Sequence, residues 1–450
     1  MKKRTGLYSR RCFINGRLQE AIIFIEQGKI TEIRTARKIL RNEAVQDYGE
    51  AVLMPGVIDA HVHLNEPGRT EWEGFETGTL AAAYGGTTSL VDMPLNASPV
   101  TTNSKALNTK LQSASGKTNV HCGFYGGLIP GNINQLPDLI AAGVLGIKAF
   151  LVHSGINEFP NTTLEDLDTA MPLLAKADIP LLVHCEIPDG TGGFSDYSDP
   201  LRYQHYLNSR PPAWEVSAIE AVIDLCKKHR CKTHIVHVSS AQALDLIEQA
   251  RENNLPLTAE TCAHYLFFSA EEIPDGQPIY KCAPPIRTEA NNNQLKEALN
   301  RGVLDFITSD HSPAPPEIKS LESGSFKTAW GGIAGLQSLL SASWAALKDW
   351  LTIETFIPLL TENPARFLAL FPQKGIIQVG SDADLVVWQP EISFILKSED
   401  LRYRHKISPY VGKSLTGNVI ATYVAGENIL VHRQNTIKTG TCILRPSKKS

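Results

Sequence analysis

Residues 52–63 read VLMPGVIDAHVH, an apolar run that ends on two histidines, His61 and His63. Continuous Val, Ile and Leu in a run this short fits a strand covered on both faces, as in a parallel sheet wrapped by helices. The spacing of two puts both imidazoles on one side of an extended chain. Seven further runs follow: GGTTSLVDMP (85–94), NVHCGFYGG (119–127), GIKAFLVHSG (146–155), IPLLVHCE (179–186), KTHIVHVSS (232–240), PLTAETCAHYL (256–266) and VLDFITSDHSP (303–313). Segments of helical period separate most of them. One carries Leu164, Leu167, Met171 and Leu174 on one side; another carries Val216, Ile219, Val222 and Leu225. Eight buried strands alternating with helices predict an α/β fold, a (β/α)8 barrel. An open doubly wound sheet has the same alternation, but Gly85-Gly86 and Gly331-Gly332 do not make a dinucleotide fingerprint.

Outward from the barrel, the rhythm changes. FINGRL (13–18) and AIIFIEQGKITEI (21–33) alternate like strands, with turns at Asn15-Gly16 and Gly28. GIIQVGSDADLVVWQP (375–390) and TGNVIATYVAGENILV (416–431), with its turn at Ala425-Gly426, repeat that pattern near the other end. The division expected is 1–53 and 373–450 as one small β-sandwich domain built from both termini, around a barrel at 54–372. Two separate small domains are the alternative.

The chain has 450 residues, 42% of them apolar and 20% charged, which is globular composition and excludes general disorder. Its 43 basic and 47 acidic residues give a formal charge of -4, so charge provides no reason to expect a nucleic-acid partner. No uncharged apolar run approaches about 18 residues, and no membrane span is expected. The opening MKKRTGLYSRRCF is basic but has no apolar core of a secretory signal. Eight cysteines without CxxC pairs read as small core residues in a reducing compartment, which makes the cytoplasm the expected location.

In a barrel, chemistry sits at the carboxyl ends of the strands. His61 and His63 end the first run, Lys148 interrupts the fourth, and His184 and His237 end the fifth and sixth. Asp310 ends the eighth. A lone histidine in a core strand is ordinarily a satisfied core residue. Six polar groups at the ends of five apolar strands are costly unless they are liganded or paired. Imidazoles with a carboxylate suit zinc or a similar divalent ion. Lys148 has three readings: a neutral amine, a carbamate formed with carbon dioxide and able to bridge two metals, or an ion pair with Asp310. His264 either faces the site or packs behind it. His311 should turn away from Asp310, and His234 should face away from His237. His121 begins its strand at the opposite end. Glu186 and Cys185 read as supporting or packing residues, and no GxSxG element points to serine chemistry.

These residues resemble the cyclic amidohydrolases of the amidohydrolase superfamily, the group of dihydroorotases, hydantoinases and allantoinases. The resemblance rests on VIDAHVHLNEPG (57–68), GIKAF (146–150), LLVHCE, IVHVSS and ITSDHSP, and on KGIIQVGSDADLVVW (374–388) in the small domain. HVHLNEPGRTEWEGFETGT (61–79), LVDMPLNASP (90–99), KCAPPIR (281–287) and SDHSPAP (309–315) are most similar to the allantoinase branch. Dihydroorotases usually carry an arginine where this chain has Asn65, which counts against a carboxylate-bearing ring.

The resemblance implies two divalent metal ions, zinc first, with cobalt or manganese as alternatives. It implies His61, His63 and Asp310 on the more buried ion, His184 and His237 on the other, and Lys148 as N6-carboxylysine between them. Asp310 would serve as the catalytic acid–base group. Asn65, Asn96 and Ser309 are the candidate substrate contacts, as neutral partners suited to a ureido group. The expected small-molecule substrate is allantoin, opened to allantoate, and the expected assembly is a homotetramer, with a dimer next. Two alternatives stand: a hydantoinase or dihydropyrimidinase acting on other cyclic amides, and a metal-free assembly protein of the same fold.

Overall fold

The structure is a computed structural model that describes residues 4–35, 43–190, 198–431 and 438–446. The chain begins with strands β1 (Thr5–Ile14), β2 (Arg17–Glu26), β3 (Lys29–Arg34), β4 (Val45–Asp47) and β5 (Val52–Pro55). Asn15 (φ 51°) and Gly16 (φ 75°) are both left-handed, the two-residue turn that Asn-Gly favours because its twist matches the flanking strands. Gln27 and Gly28 repeat it between β2 and β3.

The barrel follows as β6 (Val57–Val62), β7 (Thr87–Asp92), β8 (His121–Phe124), β9 (Gly126–Gly127), β10 (Ile147–Phe150), β11 (Leu181–His184), β12 (Thr233–Ile235), β13 (Leu257–Cys262) and β14 (Phe306–Thr308). Neighbours pair in parallel throughout. β8 and β9 are one stretch of chain; its first half pairs with β7 and its second with β10. The ring closes between β14 and β6, where the Ser309 amide donates to Asp59 Oδ1 at 3.3 Å and the His63 amide donates to the His311 carbonyl at 2.8 Å.

β15 (Leu385–Ile395), β16 (Ser414–Val424) and β17 (Glu427–Asn428) return to the first sheet. Its order is β17-β16-β15-β5-β1-β2-β3, with β4 beside β1. One mixed sheet therefore joins both ends of the chain, with β5 antiparallel to β15 at its centre. Gly56 alone separates β5 from β6. A Cβ there would sit 2.1 Å from Thr88 Oγ1, so the crossing from sheet to barrel admits no side chain. The last strand, β18 (Cys442–Ile443), pairs with β8 in the barrel wall.

Helices cover the barrel where the apolar period placed them. Leu164–Ala177 starts on a capping box made by Thr163 and Asp166, which satisfies orphan amides of the first turn. It buries Leu167, Ala170, Met171 and Leu174. Leu164, expected on that stripe, stays 38% exposed because it is the first helical residue and overhangs the contact. Pro212–His229 buries Ala218, Ile219, Val222 and Cys226, with Val216 and Leu225 partly buried against the core. Each fully buried leucine contributes about 2 kcal/mol by removal from water. No helix among the described residues is long and apolar enough to cross a membrane.

Candidate metal centre

The polar strand ends converge on one mouth of the barrel. His61 lies on β6, Lys148 on β10 and His184 on β11; His63 follows β6 directly, and His237 and Asp310 lie two residues beyond β12 and β14. His237 (φ 39°) and Asp310 (φ 41°) both take left-handed backbone where their strands break, a strained conformation for residues with side chains. All six are buried. His61 Nε2 is 3.2 Å and His63 Nε2 is 3.6 Å from Asp310 Oδ1. The His61 and His237 rings lie 5.4 Å apart, and those of His184 and His237 lie 4.5 Å apart. Above them opens a cavity of about 300 Å³, lined among others by His61, His63, Asn96, His184, Arg210, His237, Lys281, Asp310 and Trp330.

Each imidazole with a partner is held at the nitrogen that leaves the other free. His61 Nδ1 is 2.6 Å from Glu260 Oε1, so the carboxylate accepts the Nδ1 proton and Nε2 presents its lone pair to the centre. His184 Nε2 is 2.6 Å from Glu186 Oε2, which leaves its Nδ1 free. The Asn96 amide is 3.2 Å from His63 Nδ1. Its Nδ2 is the atom that faces the ring, and its Oδ1 has no partner among the described residues. Burial keeps His63, His184 and His237 below the usual imidazole range, so they sit neutral, as metal ligands must. Burial pushes the Asp310 carboxyl up, but His61 and His63 outweigh it and bring it to about 2. Burial also raises Glu260, and His61 and His234 more than reverse it.

Other donors lack partners. Lys148 Nζ is fully buried without a hydrogen bond, 4.9 Å from the Phe150 ring centroid. Burial lowers it to about 8. The ion pair with Asp310 considered for this lysine is absent. His237 Nδ1 and both ring nitrogens of His264 also lack partners among the described residues. His61, His63 and Asp310 present ligand atoms within 4.8 Å of one another, and Cys262, His264 and Asp310 do the same. The donor set fits divalent metal: oriented neutral imidazoles, an ionised carboxylate and a buried nitrogen with nothing to bond.

The remaining sequence candidates fall in different places. Asn96 lines the cavity, whereas Asn65 and Ser309 are not among its lining residues. Asn65 Nδ2 donates to the Asn96 carbonyl at 3.3 Å, and Ser309 Oγ accepts from the His311 amide at 3.1 Å. His311 turns from Asp310 to stack on Tyr403, with Glu73 at 3.7 Å. His234 faces away from the cavity that His237 lines, as strand alternation expects: its ring stacks on Phe306 and its Nε2 is 3.1 Å from Glu260 Oε2, while the backbone amide of His237 donates to Glu260 Oε1 at 3.4 Å. β12 stops at Ile235, and the left-handed turn at His237 brings its backbone round. His264 presents a ring nitrogen within 4.8 Å of Asp310 and Cys262 ligand atoms, and it is not among the residues that line the cavity.

Glu260, Arg210 and Lys281 were not among the sequence candidates. Glu260 carried a signal, a carboxylate inside the apolar run PLTAETC. Arg210 comes from the loop before Pro211-Pro212, where nothing in the sequence separates it from a solvated charge.

Parallel barrel, convergent imidazoles and ionised carboxylate together define a metal-dependent hydrolase. The chain belongs to the amidohydrolase family, whose model matches residues 52–429. It is 44% identical over 437 residues to a probable allantoinase of Oryza sativa subsp. japonica, covering 93% of this chain and 86% of that one. It is 45% identical over 402 residues to an allantoinase of Arabidopsis thaliana, covering 85% and 78%. Among solved structures, the L-hydantoinase (dihydropyrimidinase) of Arthrobacter aurescens matches with a TM-score of 0.90 at 27% identity, over 98% of this chain and 99% of that one.

Proposed function

We propose that this chain hydrolyses the ring amide of allantoin to give allantoate. The observation that carries the reading is the buried donor set around Asp310, together with the likeness to allantoinases over most of the chain. His61, His63 and Asp310 would hold one divalent ion and His184 and His237 a second, and Lys148, as a carbamate, would supply an anionic ligand to them. The carbamate reading is supported by an amine that is buried, unpaired and lowered to about 8, where the free-base form that adds carbon dioxide is accessible. Zinc is the first choice of ion for this ligand set, with cobalt and manganese next.

When bound, the ions supply a water nucleophile active at neutral pH and a Lewis acid for the ring carbonyl. The protein does the rest. Glu260, Glu186 and Asn96 fix the imidazoles so that nothing reorganises during the reaction. Asp310, ionised and beside His61 and His63, takes the proton of the attacking water and delivers it to the leaving ring nitrogen. Water adds to the ring carbonyl carbon, the C–N bond breaks, the nitrogen gains one water proton, and the other is released to solvent as the new carboxylic acid ionises to carboxylate. The cavity walls hold the ring and its ureido arm.

The eight free cysteines, seven of them buried, support a reducing compartment and hence the cytoplasm. A homotetramer, with a dimer as the alternative, is carried by the family resemblance and is checked by light scattering. Turnover of allantoin, hydantoin, dihydrouracil and dihydroorotate by metal-loaded, bicarbonate-treated enzyme tests the substrate. Dominant allantoin turnover is expected; dominance of another ring overturns the substrate and keeps the chemistry.

A further inference from the structure

The cavity beside the metal donors has a cationic lining. Arg210 and Lys281 both line it, and the lining has no carboxylate besides Asp310. Arg210 is buried apart from 14% of its side chain and is clamped by Glu186. Its Nε donates to Glu186 Oε1 at 2.9 Å, and its Nη2 donates to Glu186 Oε2, the same oxygen that holds His184. Nη1 makes no hydrogen bond to any described residue. One side of the guanidinium is thus fixed on a carboxylate, and its remaining N–H donors are presented at the cavity.

Lys281 Nζ donates to the Ala329 carbonyl at 2.6 Å and lies 5.1 Å from the Tyr206 ring centroid. Burial, and then the Arg210 charge, lower it to about 7, and both side chains line the same cavity. A neutral apolar occupant would leave that repulsion in place. An occupant rich in carbonyl oxygens relieves it.

We propose that Arg210, pre-set by Glu186, is a specificity-determining residue that donates through Nη1 to the carbonyl oxygen of the ureido arm. This rests on the allantoin reading above. The reacting ring carbonyl belongs at the His and Asp donors on the barrel mouth. The arm projects from the adjacent ring carbon, so it is the part that reaches a side wall. Of the neutral candidates, Asn65 and Ser309 do not line the cavity, and Asn96 lines it beside His63, at the donors rather than on a further wall. A planar guanidinium suits a planar urea, and a site built to bond such a group rejects the analogue that lacks it. Glu186 is then a positioning residue for two groups, His184 and Arg210.

The test compares allantoin with hydantoin, the same ring without the arm, on R210Q and R210K holoenzyme. Readouts are kcat/KM for allantoin and the inhibition constant of hydantoin as its competitor. R210Q is expected to lower kcat/KM for allantoin about 100-fold, mostly through KM, with the hydantoin constant moving less than about 3-fold. R210K keeps a cation on Glu186 but loses the fork, and is expected to lose about 10-fold on allantoin alone. Thermal melting and metal content of R210K separate this from misfolding or loss of His184. Equal losses on both rings, with metal depleted, would assign Arg210 to the support of His184 and overturn the proposal. No loss on either ring overturns it as well. If the unaltered enzyme prefers hydantoin to allantoin, the substrate reading fails and takes this contact with it. If the unaltered enzyme prefers allantoin and R210Q keeps that preference, only the Arg210 assignment fails.

Discussion

The two ends of the barrel hold the same residue types in opposite states. At the carboxyl end, His237, His264 and Lys148 bury nitrogens without partners. At the opposite end, His121, Asp384 and Lys374 are buried and every polar atom is matched. His121 Nδ1 meets Thr441 Oγ1 at 2.8 Å, and its Nε2 meets Asp384 Oδ1 at 3.3 Å. The Ala425 amide donates to Asp384 Oδ1 at 2.8 Å, and Lys374 bonds Asp384 Oδ2 and lies 3.0 Å from Asp382. That cluster ties barrel, small domain and chain tail together. A buried donor without a partner is costly and calls for an explanation; His237, His264 and Lys148 leave theirs open together at one mouth of the barrel. Histidine, aspartate and lysine therefore mark function at one end and stability at the other, and the state of their partners distinguishes the two.

Substitutions at each end should separate these roles. The largest effect is expected for Asp310→Asn, which retains the shape but cannot carry a proton. Turnover should fall at least about 1000-fold, with part of the metal kept. Near-normal turnover would remove Asp310 from proton transfer.

Lys148→Met should abolish most activity and cut the metal bound per chain. It should also leave the metal-free fold as stable as before or more so, because a buried unpaired amine is replaced by an apolar side chain of similar length. A strongly lowered Tm of the metal-free variant would show that Lys148 has a structural partner after all.

Asp384→Asn should do the reverse. It breaks a buried pair and is expected to cost about 3–5 kcal/mol in urea unfolding at neutral pH, with kcat/KM for allantoin unchanged. Burial pushes the Asp384 carboxyl up, but His121 and Lys374 depress it below its ordinary value near 3.8. The folded state therefore binds its proton less readily than the unfolded chain. Its stabilisation is present above pH 3.8 and is lost as pH falls through the depressed value. The stability gap between the two proteins should narrow below that pH; a gap constant down to strong acid would refute the pairing.

The smallest effect separates two leucines of one predicted stripe. Leu174→Ala should cost about 2–5 kcal/mol, and the half-exposed Leu164→Ala under about 0.5 kcal/mol. Equal costs in urea melts would mean that the helix sits differently on the barrel.

Much of this was legible before the fold. His61, His63, Lys148, His184, His237 and Asp310 stood out because each breaks or ends an apolar run. A polar group in such a run is costly unless it is paired or liganded. Asn15-Gly16 and Ala425-Gly426 were legible because few residues tolerate left-handed backbone. Glu260 is the same anomaly as the histidines, a charge in an apolar run, but its partners His61 and His234 lie far off in sequence. Arg210 gave no signal, since only the folded loop brings it to Glu186. The pairing of β18 with β8 was equally hidden, because two residues set no period. His234 was legible as a residue behind the site, since the alternation of β12 turns it from the cavity that His237 lines.

The most direct measurement is the metal content of the purified chain, expressed with zinc and equilibrated in bicarbonate. The open donors at the carboxyl end predict about two divalent ions per chain. A chain that binds none while folded and monodisperse would contradict the account, because those buried nitrogens would then stand unpartnered for no purpose.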